Sequence, residues 1–191
     1  ICRHACEVAM ARPRKHLTVV TKSNAQRHGM VMWDEVCAEI TGQYPALKVE
    51  KMLVDAMTAR MVMKPGSVDT VVATNLHADI LSDLASALAG SLGIGATGNI
   101  DPSRKRPSMF EPIHGSAFDI TGKGIANPLG AFWTASMMLE HLGQAPAAAQ
   151  LMRAVEMVTS RGEVLTPDLG GHATTDQVTE AIINAIRGVN L

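Results

Sequence analysis

The chain carries two aspartates at a spacing that suits a metal ion. Asp79 and Asp83 lie four residues apart, and on a helix this spacing stacks both carboxylates on one face, about one turn apart. A hard divalent cation prefers carboxylate oxygens and can bridge such a pair. The alternative is that both side chains are solvated and that Asp79 only interacts with the positive end of the helix.

These aspartates lie in a segment whose apolar residues recur with a helical period, which predicts an amphipathic helix packed on a core. Asp83 falls at the margin of the apolar stripe, where a negative charge is costly unless something compensates it. A bound cation would supply that compensation. The residues of the stripe are Leu76, Ile80, Leu81, Leu84, Ala85 and Leu88.

Two more charged residues stand next to apolar segments. Lys22 directly follows the β-branched run 17–21, which predicts a buried strand, and Asp55 is a lone acid in the apolar residues 53–57. Functional sites of α/β proteins form at the carboxyl ends of strands, and a nearby metal ion can lower the pKa of a lysine into the range of a base. A solvated lysine is the alternative, whereas Asp55 needs a partner.

A second stretch has the composition of a nucleotide-binding loop. The small residues 115–117 allow a ligand to approach the backbone, His114 offers a flat ring, and Asp119 can accept hydrogen bonds from two ribose hydroxyls. Asn127 and Pro128 suit the cap and the first position of the following helix. For Asn127, capping and ligand contact both remain open.

Residues 93–98 match the pattern G-x-G-x-x-G, which in Rossmann folds holds a pyrophosphate. A Rossmann turn must follow a strand and open a helix. This one follows a predicted helix and leads into Asn99-Ile100-Asp101-Pro102. We therefore interpret the match as chance.

Predicted strands alternate with predicted helices, which indicates an α/β protein. Residues 47–63 pass from strand into helix, with Met57 and Met61 as core residues. Residues 90–128 are rich in glycine, proline and polar residues, as in a crossover between domains. The other predicted helices cover residues 1–11, 31–40, 129–142, 147–161 and 174–187, and a further strand covers residues 68–73.

Composition excludes several classes of function. Net charge is −1, and Arg104-Lys105-Arg106 lacks interleaved aromatics, which favours a solvated loop and argues against nucleic-acid binding. No apolar run approaches the roughly 20 residues of a membrane span. Three cysteines fit a reducing compartment, so we expect a cytoplasmic protein without a membrane partner. The chain begins at Ile1 inside a predicted helix, which suggests part of a longer protein.

Four stretches in order resemble the β-decarboxylating dehydrogenases, the family of isocitrate and isopropylmalate dehydrogenases. Residues 97–112 are most similar to the tartrate/D-malate branch of that family. The four stretches are residues 21–24 (Thr-Lys-Ser-Asn), 54–57 (Val-Asp-Ala-Met), 74–84, and 111–117 together with 127–128.

The resemblance implies an isopropylmalate dehydrogenase-like, doubly wound α/β sheet in two domains, with the N-terminal part of the enzyme missing. Residues 1–93 would belong to the dimerisation and metal-binding domain. Residues 94–191 would form the C-terminal part of the cofactor-binding domain. The implied assembly is a homodimer with a shared active site.

The resemblance also implies the chemistry. Asp79 and Asp83 would bind Mg²⁺ or Mn²⁺ together with Asp55 of the partner subunit, and Lys22 of that subunit would act as the general base. The reaction would be the NAD-dependent oxidation of a 2-hydroxy diacid such as tartrate or D-malate, with or without β-decarboxylation. Asp79 thus counts as catalytic as well as metal-binding.

By the same resemblance, nine residues would contact the cofactor. Asn24 and Asn75 would lie near the nicotinamide, and an acid on the ribose, Asp119, would select NAD⁺ because it repels the 2′-phosphate of NADP⁺. The adenosine site would consist of His114, Gly115, Ser116, Ala117, Asp119, Ile120 and Asn127.

The chain also departs from the family pattern. No segment corresponds to the substrate-binding arginines or the proton-donating tyrosine, so we expect this chain alone to be inactive. Phe118 replaces a common proline, and Gly95-Ala96 replaces the usual Ala-Pro. The alternatives are an isopropylmalate dehydrogenase, a non-catalytic regulatory subunit of the family, or a structural module whose acids are only surface charge.

Overall fold

The computed structural model describes residues 1–188, so residues 189–191 of the predicted second domain lie outside the described residues. It forms two compact units, residues 1–85 and the residues from 86 onward. This division falls inside the helix of the two aspartates. The assignment of residues 1–93 and 94–191 to two functional domains stays a prediction.

The first unit has the predicted alternation of strands and helices. The chain passes from strand to helix at Leu53 and Val54, within the range predicted for that change. Its elements are α1 (Cys2–Ala11), β1 (His16–Thr21), α2 (Gly29–Thr41), β2 (Lys48–Leu53), α3 (Val54–Met63), β3 (Thr70–Val72) and the start of α4 (Asn75–Ala89).

The three strands form a parallel sheet in the order β2-β1-β3. In the central strand, Leu17 pairs with Val49 on one side and with Thr70 on the other. All six residues of β1 are buried, as expected for a parallel strand covered on both faces. Because the strands are parallel, their carboxyl ends meet at the same edge of the sheet.

Helices cover both faces of this sheet. Leu17 and Val19 of β1 pack in one core cluster with apolar residues of α1 and α2. Val20 points to the opposite face, because successive strand residues alternate, and it packs with Met57 and Met61 of α3. The predicted core role of the two methionines is therefore confirmed. The three cysteines are buried and free.

The second unit contains a hairpin that the sequence did not predict. Strands β4 (Ala96–Asn99) and β5 (Met109–Pro112) pair antiparallel, with Thr97 opposite Glu111. Both strands are short and half-exposed, and they lack the polar/apolar alternation that marks a strand in sequence. The prediction of a crossover between domains in residues 90–128 stays a prediction. In the connecting loop, the residues of the basic cluster 104–106 are exposed, as predicted.

The motif at residues 93–98 runs from a short 3₁₀ turn into β4, not into a helix. Its interpretation as a chance match is confirmed. The glycines serve packing instead: a Cβ on Gly95 would lie 2.3 Å from Cγ2 of Ile113.

Three helices complete the second unit at the predicted places: α5 (Leu129–His141), α6 (Ala145–Arg161) and α7 (Thr175–Ile186). A capping box between Thr174 and Gln177 begins α7. The first turn of α5 packs against the segment that leads into β4. There, Gly130 lies close to the backbone carbonyl groups of Gly93 and Gly95. Within residues 1–188, no helix has both the length and the apolar character to cross a membrane.

Substituting Gly130 by alanine tests how closely α5 packs. Its Cβ would lie 2.8 Å from the carbonyl oxygen of Gly93 and 3.1 Å from that of Gly95, and backbone atoms cannot move aside cheaply. We expect Gly130→Ala to lower the free energy of unfolding by about 1–3 kcal/mol in urea titrations. The control Gly66→Ala adds a Cβ with nothing within 4 Å, so it should change stability by less than about 1 kcal/mol. Equal effects would contradict the packing argument.

Candidate active site and dinucleotide pocket

Lys22 and Asp55 meet at the carboxyl edge of the three-stranded sheet. Lys22 directly follows β1, and Asp55 lies in the first turn of α3, directly after β2. Since β1 and β2 are adjacent and parallel, Nζ of Lys22 comes to 2.5 Å from Oδ1 of Asp55. The partner that Asp55 needs is thus Lys22. The sequence could not reveal this pairing, because it does not say which strands are neighbours.

The pair is accessible to solvent and ligands. The Asp55 side chain is 64% exposed and that of Lys22 is 27% exposed. The hydrogen bond from Lys22 holds the pKa of the Asp55 carboxyl below its ordinary value. A carboxylate offers about four acceptor positions, and Lys22 occupies one of them. Asp55 therefore keeps oxygen lone pairs for a further cation.

Asp79 and Asp83 are both exposed on α4, one turn apart, as the spacing predicts. The predicted apolar stripe is only partly correct. Leu81 is buried in the core of the first unit, and Leu84 packs against it. By contrast, Leu76 is 60% exposed and Ile80 is 51% exposed, and both flank Asp79. Ala85 and Leu88 are exposed as well.

The prediction of the apolar stripe was only partly correct for a simple physical reason. The helical period identifies apolar residues but not how many surfaces they contact, and this helix has a second apolar face that the first unit leaves uncovered. That face lies beside the two carboxylates.

Within the described residues, no three His, Cys, Asp or Glu side chains come close enough to form a metal site. Asp79 and Asp83 supply two carboxylates on their own helix face. Asn24, in the turn after Lys22, and Asn75, the first residue of α4, are both exposed. The structure places them near the carboxyl ends of β1 and β3.

The second unit contains a cavity of about 650 Å³, within the range of cofactor sites. Six of the nine predicted cofactor residues line it, whereas Asp119 lies in the adjacent 3₁₀ turn and is exposed. The lining also includes residues that sequence reasoning missed, from two loops distant in sequence. The predicted residues in the lining are His114, Gly115, Ser116, Ala117, Ile120 and Asn127, and the missed ones include Ser91, Leu92, Gly93, Pro167 and Asp168.

The loop after β5 is shaped for close approach. Ala117 adopts a left-handed conformation with φ +44°, which is costly for a residue with a Cβ. A Cβ on Gly115, Gly122 or Gly124 would meet nothing within 4 Å, so these positions open onto free space. The small side chains leave the backbone accessible, as the sequence predicts.

Asn127 caps helix α5 and also lines the cavity. Its Oδ1 accepts the backbone N–H of Leu129 at 2.9 Å, and its Nδ2 donates to Oδ2 of Asp168 at 2.8 Å. The same Oδ2 accepts the hydroxyl of Ser91, whose Oγ in turn accepts the N–H of Gly93 at 2.9 Å. The bond to Leu129 agrees with the capping interpretation, whereas contact of Asn127 with a ligand stays a prediction.

Asp168 and His114 are the only ionisable side chains among the described residues of the lining. Burial alone would raise the pKa of the Asp168 carboxyl, but the hydrogen bonds from Ser91 and Asn127 outweigh burial and hold that pKa below its ordinary value. The cavity therefore carries a negative charge. A hydrogen-bond donor such as a hydroxyl group therefore fits next to Asp168 better than an anionic group does.

Comparisons with known proteins identify the family of the chain. The family model for isocitrate/isopropylmalate dehydrogenase matches residues 1–183. The probable tartrate dehydrogenase/decarboxylase of Agrobacterium vitis is 70% identical over 191 residues, which are 100% of this chain and 53% of the relative. The decarboxylating D-malate dehydrogenase of Escherichia coli is 46% identical, over 97% of this chain and 53% of the relative.

Among solved structures, the isocitrate dehydrogenase of Methylococcus capsulatus superposes with a TM-score of 0.93 at 41% identity. The match covers 97% of this chain and 55% of that one. It confirms the predicted isopropylmalate dehydrogenase-like fold. The chain spans about half the length of the curated relatives it matches, consistent with the expectation of a C-terminal portion. From the match over residues 1–183 and this shared fold, we conclude that the chain belongs to the isocitrate/isopropylmalate dehydrogenase family.

Proposed function

We propose that the longer enzyme to which this chain corresponds oxidises a 2-hydroxy diacid of the tartrate/D-malate class, using NAD⁺ and a divalent cation, with or without β-decarboxylation. The single observation that carries the proposal is the cavity lined by His114, residues 115–117, Ile120 and Asn127. The names of the relatives at 70% and 46% identity support the substrate class.

The charge of the cavity supports NAD⁺ over NADP⁺. Asp168 lines the cavity and Asp119 lies in the adjoining turn, while the described lining contains no lysine or arginine. A 2′-phosphate would stand near two carboxylates, and their repulsion is unfavourable in a partly buried site. The ribose hydroxyls of NAD⁺ can instead donate to a carboxylate.

Lys22 is suited to move the proton of the substrate hydroxyl. It projects from the end of a buried strand, and Asp55 fixes the position of its ammonium group. Hydride leaves the substrate carbon as the hydroxyl proton is removed, so Lys22 lowers the barrier if its ammonium first loses a proton and the neutral amine then accepts that of the hydroxyl. A bound Mg²⁺ or Mn²⁺ would make that hydroxyl more acidic and stabilise the enolate left by loss of CO₂.

The carboxylates of Asp55, Asp79 and Asp83 form an all-oxygen donor set, which fits a hard cation such as Mg²⁺ or Mn²⁺ rather than Zn²⁺. Within one copy, Asp55 does not group with the pair on α4. The exposed Leu76 and Ile80 beside that pair are apolar surface that a second copy can cover. A homodimer that unites Asp55 of one copy with Asp79 and Asp83 of the other accounts for both features.

An isopropylmalate dehydrogenase and a non-catalytic subunit remain the competing functions. The close Lys22–Asp55 pair favours a catalytic subunit, because a regulatory subunit has no need for a lysine held at the strand end. The three buried thiols are compatible with a cytoplasmic location.

The full-length protein should reduce NAD⁺ when given tartrate or D-malate with Mg²⁺ or Mn²⁺. We expect kcat/KM for NADP⁺ to be at least about tenfold lower, because of the acidic cavity. A chelator should abolish turnover, and the cation should restore it. Absorbance of NADH at saturating substrate measures the rate. Activity only with isopropylmalate would favour that competitor, and no NAD⁺ reduction with any 2-hydroxy diacid would exclude the proposal.

Lys22→Met should lower kcat by about 10²–10⁴-fold, the usual effect of removing a general acid or base. The matched control is Lys48→Met, since Lys48 is an exposed lysine at the opposite end of the neighbouring strand. It should leave kcat within about twofold. Equal rates for the two variants, at equal thermal stability, would remove Lys22 from the mechanism.

Mixing two inactive variants tests the shared site. Asp55→Asn and Asp79→Asn should each abolish activity, but a mixed dimer has one site in which both aspartates are intact. After denaturation and refolding together, half of the dimers are mixed, so activity should return to about a quarter of the parental value. Size-exclusion chromatography with light scattering verifies the dimer. If mixing restores nothing, the aspartates act within one chain.

A further inference from the structure

The hydrogen bonds around Asp168 join three segments that are far apart in sequence. One carboxylate oxygen, Oδ2, accepts from Ser91 in the turn before β4 and from Asn127 at the start of α5. Asp168 itself belongs to the 3₁₀ turn Pro167–Leu169, between α6 and α7. All three segments line the cavity. Hydrogen bonds to an ionised carboxylate are the stronger kind, so this oxygen fixes one wall of the site.

The network permits only one orientation of the Asn127 amide. A carboxylate oxygen accepts and a backbone N–H donates. If the amide were flipped, its oxygen would face Oδ2 of Asp168 and its NH₂ would face the N–H of Leu129, which are both repulsive contacts. The observed orientation satisfies both neighbours.

This orientation leaves a defined group for a ligand. The Nδ2 of Asn127 carries two hydrogens, and Asp168 takes one of them. The other remains as a donor on a residue that lines the cavity. Gly93 closes the other side of the network, because a Cβ there would lie 2.9 Å from Cβ of Asn127 and 3.0 Å from Oδ2 of Asp168. The Asn127 side chain therefore has little room to turn.

We propose that Asp168 is a positioning residue for the nucleotide end of the cofactor: it holds the Asn127 amide and the Ser91 hydroxyl so that Asn127 presents its free N–H to a hydrogen-bond acceptor of an adenine nucleotide. The inference rests on the proposed function, since it takes the cavity to be the adenosine site. Asp168 acts through Asn127 and does not itself take part in hydride transfer.

The test compares two substitutions of Asp168 in the full-length protein. Asp168→Ala removes the acceptor, so KM for NAD⁺ should rise at least about tenfold while kcat at saturating NAD⁺ stays within about twofold. Titration calorimetry with 5′-AMP, which carries only the nucleotide end, should give a matching loss of affinity. Asp168→Asn keeps one oxygen that can accept both hydrogen bonds, so its affinity should stay within about threefold of the parent's.

A double-mutant cycle tests whether Asp168 affects nucleotide binding through Asn127. Asn127→Ala and Asp168→Ala should each weaken 5′-AMP binding, and the double variant should bind no more weakly than the weaker single variant. The control Asp176→Asn, an exposed acid in the first turn of α7, should leave binding unchanged. Thermal melting of each variant without ligand accounts for losses of folded protein.

Three results would overturn the inference: unchanged 5′-AMP affinity in Asp168→Ala, additive losses in the cycle, or a loss in Asp168→Asn as large as in Asp168→Ala. If Asp168→Ala does not fold, Asp168→Asn still decides the matter: a loss of 5′-AMP affinity greater than about threefold in that near-isosteric variant would overturn the inference. If the parent protein binds neither 5′-AMP nor NAD⁺, the proposed function fails and this inference fails with it.

Discussion

The pairing of β1 in parallel with β2 determines where the charged residues of the first unit lie. Parallel strands end at a common edge, so residues that directly follow them become neighbours although 32 residues separate Lys22 from Asp55 in sequence. The ion pair at that edge is a consequence of strand order. It gives Asp55 a partner and holds Lys22 at an edge of the sheet that is accessible to solvent.

The two units differ in the charged residues that they carry. The first carries exposed acids together with a lysine, and these charges suit the cation and the anionic substrate that we propose. The second has a cavity whose only described ionisable groups are His114 and Asp168, and most of its lining is small or apolar. Such a surface binds through backbone groups and shape. This lining supports the proposed preference for a free ribose over a ribose that carries a 2′-phosphate.

Sequence reasoning located the residues of the first unit well, because strong periodic signals position them. The β-branched run of β1, the change from strand to helix at Leu53 and the helix of Asp79 and Asp83 follow from local pattern alone. The exposed Leu76 and Ile80 could not be predicted, since period reveals an apolar face but not what covers it. In the second unit, the strands of the hairpin could not be predicted because their sequences lack the alternation of polar and apolar residues.

The role of Asp168 could not be predicted from the sequence at all. In sequence it is an acid in a polar loop between two helices, typical of solvated surface, and its importance arises only when folding brings Ser91 and Asn127 to one of its oxygens. The glycines of residues 93–98 show that a sequence pattern can also suggest a site that the structure does not contain. A glycine-rich pattern allows close approach to a backbone, but the approaching group can be a phosphate or another part of the protein. Here Gly93 and Gly95 admit neighbouring side chains of the protein, so the resemblance to a phosphate loop comes from the same steric requirement met by a different partner.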